Sequence, residues 1–280
     1  MIIQDRGTEF VVIRQTDHAA LAGHLAREWG NDLYRRPEPF DSFRLAAGEH
    51  DNGWAEVELR PQIDPVTFKP YSYLSIPTAA HMELYRRGIE RVVKADHYAG
   101  LLVSMHCAGL YDRARATMPG FSAKYVKTEE APLVSEYVQS LRLQQLRLKV
   151  DLRANPGMKP YADDKLLQAN LKRLEALDCL SLFFCQEPLT DMVLEGIPVD
   201  GNGREADWEI RSTGENTASL SPYPFRREPL ELSVLARRIP KRPYTDDHDL
   251  QAALAQAPYF ALKFSLRAGG ATLRTRAMSA

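Results

Sequence analysis

Ionisable residues set into apolar helical faces constrain this chain more than anything else in it. An ionised carboxylate buried on such a face costs several kcal/mol unless it is paired or coordinated. Six positions have this character: His18, the adjacent His50 and Asp51, His81, His106 and Asp178. They fall in QTDHAALAGHLA, AAGEHDNGW, TAAHMELY, LLVSMHCAGLY and LEALDCLSLFFC. A lone histidine among apolar residues is more often a satisfied core side chain. Several in series, with two carboxylates, point to one metal site where helices converge on a common interior.

Helical spacing supports the inward direction of each residue. His18, Leu21, Ala22, Leu25 and Trp29 share one stripe of a helix expected to run to about residue 30, and His24 lies off it. A second helix over about 40–51 puts Phe43, Ala46, Ala47 and His50 on one face and is expected to end at Gly53. Thr78 is a candidate cap for a third helix, which carries His81 with Leu84 and Tyr85 beside it. Over 96–111, Ala99, Leu102, Val103, His106 and Leu110 form one face, and over 163–185, Leu171, Leu174, Asp178, Ser181, Leu182 and Cys185 do the same. The local alternatives are specific: Asp178 accepting from Lys172 or Arg173, and Asp51 capping the turn at Gly53.

The pattern predicts a mainly helical (α+β) chain: a helical metal-binding region over 1–190, a small antiparallel β region over 191–267 and a flexible tail over 268–280. The apolar run at 9–15 reads as a strand able to join that sheet. After Pro188 the β-like runs MVLEGIPV, WEIRS, LELSVLARRI and YFALKFSLR are separated by Gly, Asn and Pro turns. The Pro- and Tyr-rich stretch at 60–77 reads as a long irregular connection.

Charge excludes some partners. Lys plus Arg (36) nearly balances Asp plus Glu (37), so no global field recruits nucleic acid or an anionic membrane. No leader-like start and no apolar run near the ~18 residues of a membrane span are visible, which makes a soluble, cytoplasmic protein the expectation. Cys107, Cys179 and Cys185 lie in apolar helical settings without a CxxC spacing and read as buried free thiols. Oligomeric state is not legible.

The order of these residues resembles the HD-domain superfamily of metal-dependent phosphohydrolases and their di-iron oxygenase relatives. The flanking segments, followed by PYPF, are similar to a family of bacterial HD-like proteins with no assigned activity. The resemblance covers roughly 9–266 and implies an HD-like helical bundle with a small appended antiparallel sheet. It also implies two divalent transition-metal ions, iron, manganese or zinc. His18, His50, Asp51 and Asp178 would hold one, and Asp51 would bridge to a second held by His81 and His106, with Asp51 central to catalysis. Neighbouring residues at a helix end suit that role, since one can project a nitrogen and the other a bridging oxygen toward ions ~3.5–4 Å apart.

One position departs from the pattern. Many HD hydrolases carry a phosphate-side Lys where this chain has Trp54. Arg113 and Lys124 are the candidate replacement cations, and Trp54 is a candidate pocket residue. The leading expectation is hydrolysis of a small phosphorylated or nucleotide-like molecule. The alternatives are a di-iron oxygenase of a diol- or phosphonate-like molecule and a metal-stabilised binding protein without turnover.

Overall fold

The computed structural model describes residues 1–111, 127–200, 203–270 and 275–277. The helices are α1 (Gln15–Glu28), α2 (Phe40–Glu49), α3 (Ala55–Leu59), α4 (Thr78–Ala95), α5 (His97–Tyr111), α6 (Ala131–Ala154), α7 (Asp164–Cys185) and α8 (Asp247–Gln256). A single 3₁₀ turn, Asn52–Trp54, links α2 to α3. The strands are β1 (Ile2–Asp5), β2 (Glu9–Ile13), β3 (Met192–Pro198), β4 (Arg204–Gly214), β5 (Thr217–Ser221), β6 (Leu230–Pro240), β7 (Tyr259–Ala268) and β8 (Thr275–Ala277).

The strands form one mixed, curled sheet in the order β1-β2-β6-β7-β5-β4-β3, with β8 also pairing β4. All neighbours are antiparallel except β5 and β7. This corrects the expected architecture: the chain is an α+β fold, not a helical bundle with a small appended sheet. The reason lies in what the strands bury. Ile197, Trp208, Ile210, Ala218 and Leu220 are fully buried and belong to the same hydrophobic core as Leu25, Trp29 and Phe184. Trp29, the C-cap of α1, packs on Trp208 at 5.4 Å, and Phe184 of α7 on Phe264 at 5.1 Å, so α1 and α7 have the sheet as a partner layer. The strand expected at 9–15 does join it, β2 pairing with β6 from Glu9↔Pro240 to Ile13↔Ala236.

One helix start differs from its sequence reading. Helix α4 begins with Thr78 inside its first turn and Pro77 as N-cap, and the Thr78 hydroxyl donates to Glu130 at 2.8 Å. Helix α1 begins at Gln15, and the side chain of its N-cap, Arg14, does not cap the helix backbone. Glu58 of α3 supplies it instead: Oε1 accepts from the Gln15 amide at 2.6 Å, and Oε2 from the Thr16 amide and hydroxyl at 3.4 and 3.1 Å. A carboxylate at a helix N-terminus both satisfies orphan amides and meets the helix dipole. Glu58→Ala is expected to cost about 1–2 kcal/mol and lower the melting temperature by roughly 2–6 °C. An unchanged melting curve would mean that Glu58 does not anchor α1.

Among the described residues no helix is long and apolar enough to cross a membrane. All three cysteines are free and buried.

Candidate metal centre

Close backbone contacts bring the site's helices together. A Cβ on Gly23 of α1 would stand 2.8 Å from the Cα of Gly48 on α2, so these two helices touch through glycine. A Cβ on Gly53 would stand 2.1 Å from the Leu84 carbonyl oxygen, and one on Gly88 2.8 Å from the Gly53 nitrogen. Gly53 is therefore required for the approach of the 3₁₀ turn to α4, a stronger constraint than the helix stop expected of it. His50 and Asp51 lie between these two contacts, with His50 held in helical geometry (φ −59°) and Asp51 outside it (φ −111°, ψ 18°).

His18, His50, Asp51, His81, His106 and Asp178 are all buried, between 1% and 5% exposed. Two overlapping groups can offer ligand atoms within 4.8 Å of one another: His18, His50 and Asp51, and His50, His106 and Asp178. Asp51 Oδ2 lies 3.0 Å from His18 Nε2 and 3.8 Å from His50 Nε2. Asp178 Oδ1 lies 3.3 Å from His50 Nε2 and 3.8 Å from His18 Nε2, while its Oδ2 lies 3.9 Å from His106 Nε2. Five of the six residues thus meet in one place. His81 belongs to neither group among the described residues. Its Nδ1 bonds the Tyr111 hydroxyl at 2.5 Å, and its ring packs on Tyr85 at 4.8 Å.

The hydrogen bonds on the far ring nitrogens decide what the near ones present. The Ser181 hydroxyl donates to the Asp178 carbonyl at 2.8 Å, so its oxygen accepts from His18 Nδ1 at 2.8 Å. His50 Nδ1 donates to the Ala47 carbonyl at 2.9 Å, and its Nε2 faces Asp178 Oδ1 at 3.3 Å. Both imidazoles therefore turn Nε2 toward two carboxylates. Lone pairs facing carboxylate oxygens at these distances repel unless a cation lies there, either a proton on each ring or a metal ion. Outer partners that fix a tautomer in this way are the usual support of histidine ligands.

The local alternatives for the carboxylates are taken up elsewhere. Arg173 donates to Asn170 at 2.8 Å and to the carbonyls of Pro198 and Asp200 at 3.3 and 3.0 Å, and Lys172 pairs with Glu205 at 2.7 Å. Asp51 makes no side-chain cap at Gly53. Its Oδ2 accepts from Gln15 Nε2 at 3.0 Å and its Oδ1 from the Tyr85 hydroxyl. Gln15, Tyr85 and Ser181 are supporting residues that sequence reasoning did not select. Each stands three or four positions from a selected residue on the same helix, and that spacing was the available signal.

The electrostatics match a site that wants positive charge. Burial works to lower the His50 pKa, but the charges of Asp51 and Asp178 outweigh it and raise it to about 9. Burial works to raise the Asp51 pKa, yet His50 and His18 hold it well below the usual range, and Asp178 is lowered in the same way. His106 is lowered to about 4, chiefly by burial, so it is neutral and offers a lone pair at neutral pH. In the metal-free protein His50 keeps its proton to about pH 9, above the ordinary 6.5. Its stabilising contribution is then complete below pH 6.5 and lost as pH rises through about 9. Any ion that binds must displace this proton, so affinity should rise about tenfold per pH unit from acid toward pH 9 and then level off. Calorimetric titration with Zn²⁺ at several pH values, in buffers of different ionisation enthalpy, reads both slope and proton release. A flat profile would show that no His50 proton is displaced.

The remaining candidates are placed as follows. Trp54 is 1% exposed and sits edge-on to His81 at 5.8 Å, a buried neighbour of the site whose indole nitrogen has no hydrogen-bond partner among the described residues. Arg113 and Lys124 lie outside the described residues. His97 and His248 are exposed, and His24 is half-buried and apart from the cluster.

Residues 1–241 match the family model described as "Protein of unknown function (DUF3891)". The chain belongs to that family. The match takes in all six ionisable positions and the sheet through β6. No curated protein and no solved structure matches the chain.

Proposed function

We propose that this protein binds a divalent transition metal through His18, His50, Asp51 and Asp178, with His106 beside Asp178, and uses it to hydrolyse a small phosphorylated or nucleotide-like molecule. The supporting observation is the convergence of two Nε2 atoms with fixed Nδ1 partners on two buried carboxylates that no Lys or Arg among the described residues neutralises. Mixed imidazole and carboxylate donors suit iron, manganese or zinc better than magnesium or calcium. The order of the ligands along the chain, one His, an adjacent His-Asp and a distant Asp, is that of the HD-type hydrolases.

An ion held there would polarise a phosphoryl oxygen and lower the pKa of a bound water toward neutrality. The chain's own residues do the rest. Gln15 and Tyr85 fix the Asp51 carboxylate from two sides, Ser181 sets the His18 ring, and the Ala47 carbonyl sets the His50 ring. Trp54 and Tyr111 pack against His81 and keep that side of the site dry, which strengthens every charge interaction inside it.

A second reading has one observation in its favour. At the position of the phosphate-side Lys this chain places a buried tryptophan, which supplies no positive charge to a phosphate. Oxygenation of a small diol- or phosphonate-like molecule at an iron centre needs no such cation. A panel of phosphoesters assayed with Mn²⁺-loaded protein separates the readings: phosphate or nucleotide release that is lost in Asp51→Asn supports hydrolysis. Oxygen consumption restricted to the iron form, without phosphoester cleavage in any metal form, would replace hydrolysis by oxygenation. Stoichiometric metal with neither activity would make the protein a metal-stabilised binder.

A further inference from the structure

We propose that Tyr85 holds the centre to a single ion, its hydroxyl occupying the Asp51 oxygen through which a second ion would be shared. The proposal rests on the reading of the site as a metal centre and concerns how many ions it takes.

The two oxygens of Asp51 have different tasks. Oδ2 faces His18 Nε2 and His50 Nε2, and with them it would hold the first ion. Oδ1 is the oxygen left for bridging, and it accepts the Tyr85 O–H. A phenol proton aimed at a carboxylate oxygen puts the positive end of its dipole where a cation would sit. In a site only 3% exposed it also spares that oxygen the cost of being buried without a partner.

His81 has the construction of a ligand held in reserve. It is 5% exposed, and its Nδ1 is fixed by the Tyr111 hydroxyl at 2.5 Å, the outer-partner arrangement that His18 and His50 also have. Yet it joins neither metal-capable group among the described residues. Tyr85, four positions on along α4, touches both His81 and the Asp51 carboxylate, with its ring 4.8 Å from the His81 ring. Helical geometry thus places the potential ligand and the residue that pre-empts it on one face. Removing the hydroxyl alone leaves the ring packing intact and frees Oδ1 for a cation. The second ion must otherwise break a charge-assisted hydrogen bond, so its affinity should rise by about 10- to 100-fold in Tyr85→Phe.

The test uses the full chain, stripped with chelator and titrated with Zn²⁺, with bound metal counted by elemental analysis after desalting. One equivalent in the wild type, two in Tyr85→Phe and one again in Tyr85→Phe/His81→Ala is the expected series. Melting curves of the stripped proteins check that each variant is folded. Mn²⁺-loaded Tyr85→Phe should also show the electron paramagnetic signature of two coupled ions, which a purely structural tyrosine would not control. Two equivalents in the wild type, or one in folded Tyr85→Phe, overturns the role of Tyr85 and leaves the metal centre standing. Uptake by none of the proteins overturns the metal centre and this role together.

Discussion

Asp178→Ala is expected to lose bound metal almost completely, its affinity falling by at least about a hundredfold, more than the loss of an outer-shell partner costs. Asp178 faces His18, His50 and His106 together, at 3.8, 3.3 and 3.9 Å. Without its charge His50 also loses one of the two carboxylates that raise its pKa. The loss has a thermal readout. An ion present at about a thousand times its dissociation constant stabilises the native state by about 4 kcal/mol, so chelator should lower the wild-type melting temperature by roughly 8–16 °C. In Asp178→Ala a hundredfold weaker site would cut the chelator shift to about a third, and a larger loss would cut it further. A variant that keeps its metal and its chelator shift would place the ion elsewhere.

Gly53→Ala is the second large effect, and it acts through the backbone. The added Cβ would lie 2.1 Å from the oxygen and 2.7 Å from the carbon of the Leu84 carbonyl, atoms of a helix that cannot turn aside as a side chain can. The 3₁₀ turn and α4 must separate, at a cost of about 3–5 kcal/mol and roughly 6–15 °C in melting temperature. Asp51 is carried by that turn, so metal affinity should fall with stability. Gly109→Ala on α5 is the contrast: among the described residues its Cβ would meet only Glu175 Oε1 at 3.4 Å, and the gain in helix propensity offsets that contact. Equal destabilisation by the two substitutions would refute the close-approach argument.

The helices and the inward direction of the site residues were legible in the sequence because helical periodicity is local. The stripe of His18, Leu21, Ala22 and Leu25 is buried in α1, and α7 spans Asp164–Cys185 against an expected 163–185. The sheet was underestimated for an equally physical reason. TASLS, which forms β5, offers only Ala and Leu as apolar residues in a run of 5, and IIQD, which forms β1, is too short to register. DHDLQAALAQ forms α8 within the stretch expected to be antiparallel β; Asp246 caps it by accepting from the Asp249 amide at 2.8 Å.

The grouping of the site was only partly legible. Which histidines face one another depends on helix crossings, set here by Gly23 against Gly48 and Gly53 against Leu84, and no single-sequence pattern shows such contacts. His81 illustrates the limit. Its helical phase points inward as expected, but Tyr85 and Tyr111 decide what it meets. Glu58, the anchor of α1, lies 43 positions from the amide that it caps, beyond the reach of any capping motif.

The central claim is that the buried cluster holds a metal ion, and metal analysis of the full chain purified without chelator tests it most directly. The account predicts at least about one equivalent of iron, manganese or zinc per chain, abolished by Asp51→Ala and Asp178→Ala. Protein that carries no transition metal, and takes none up when incubated with Fe²⁺, Mn²⁺ or Zn²⁺ near pH 8, would contradict it; the cluster would then be a set of buried imidazolium–carboxylate pairs.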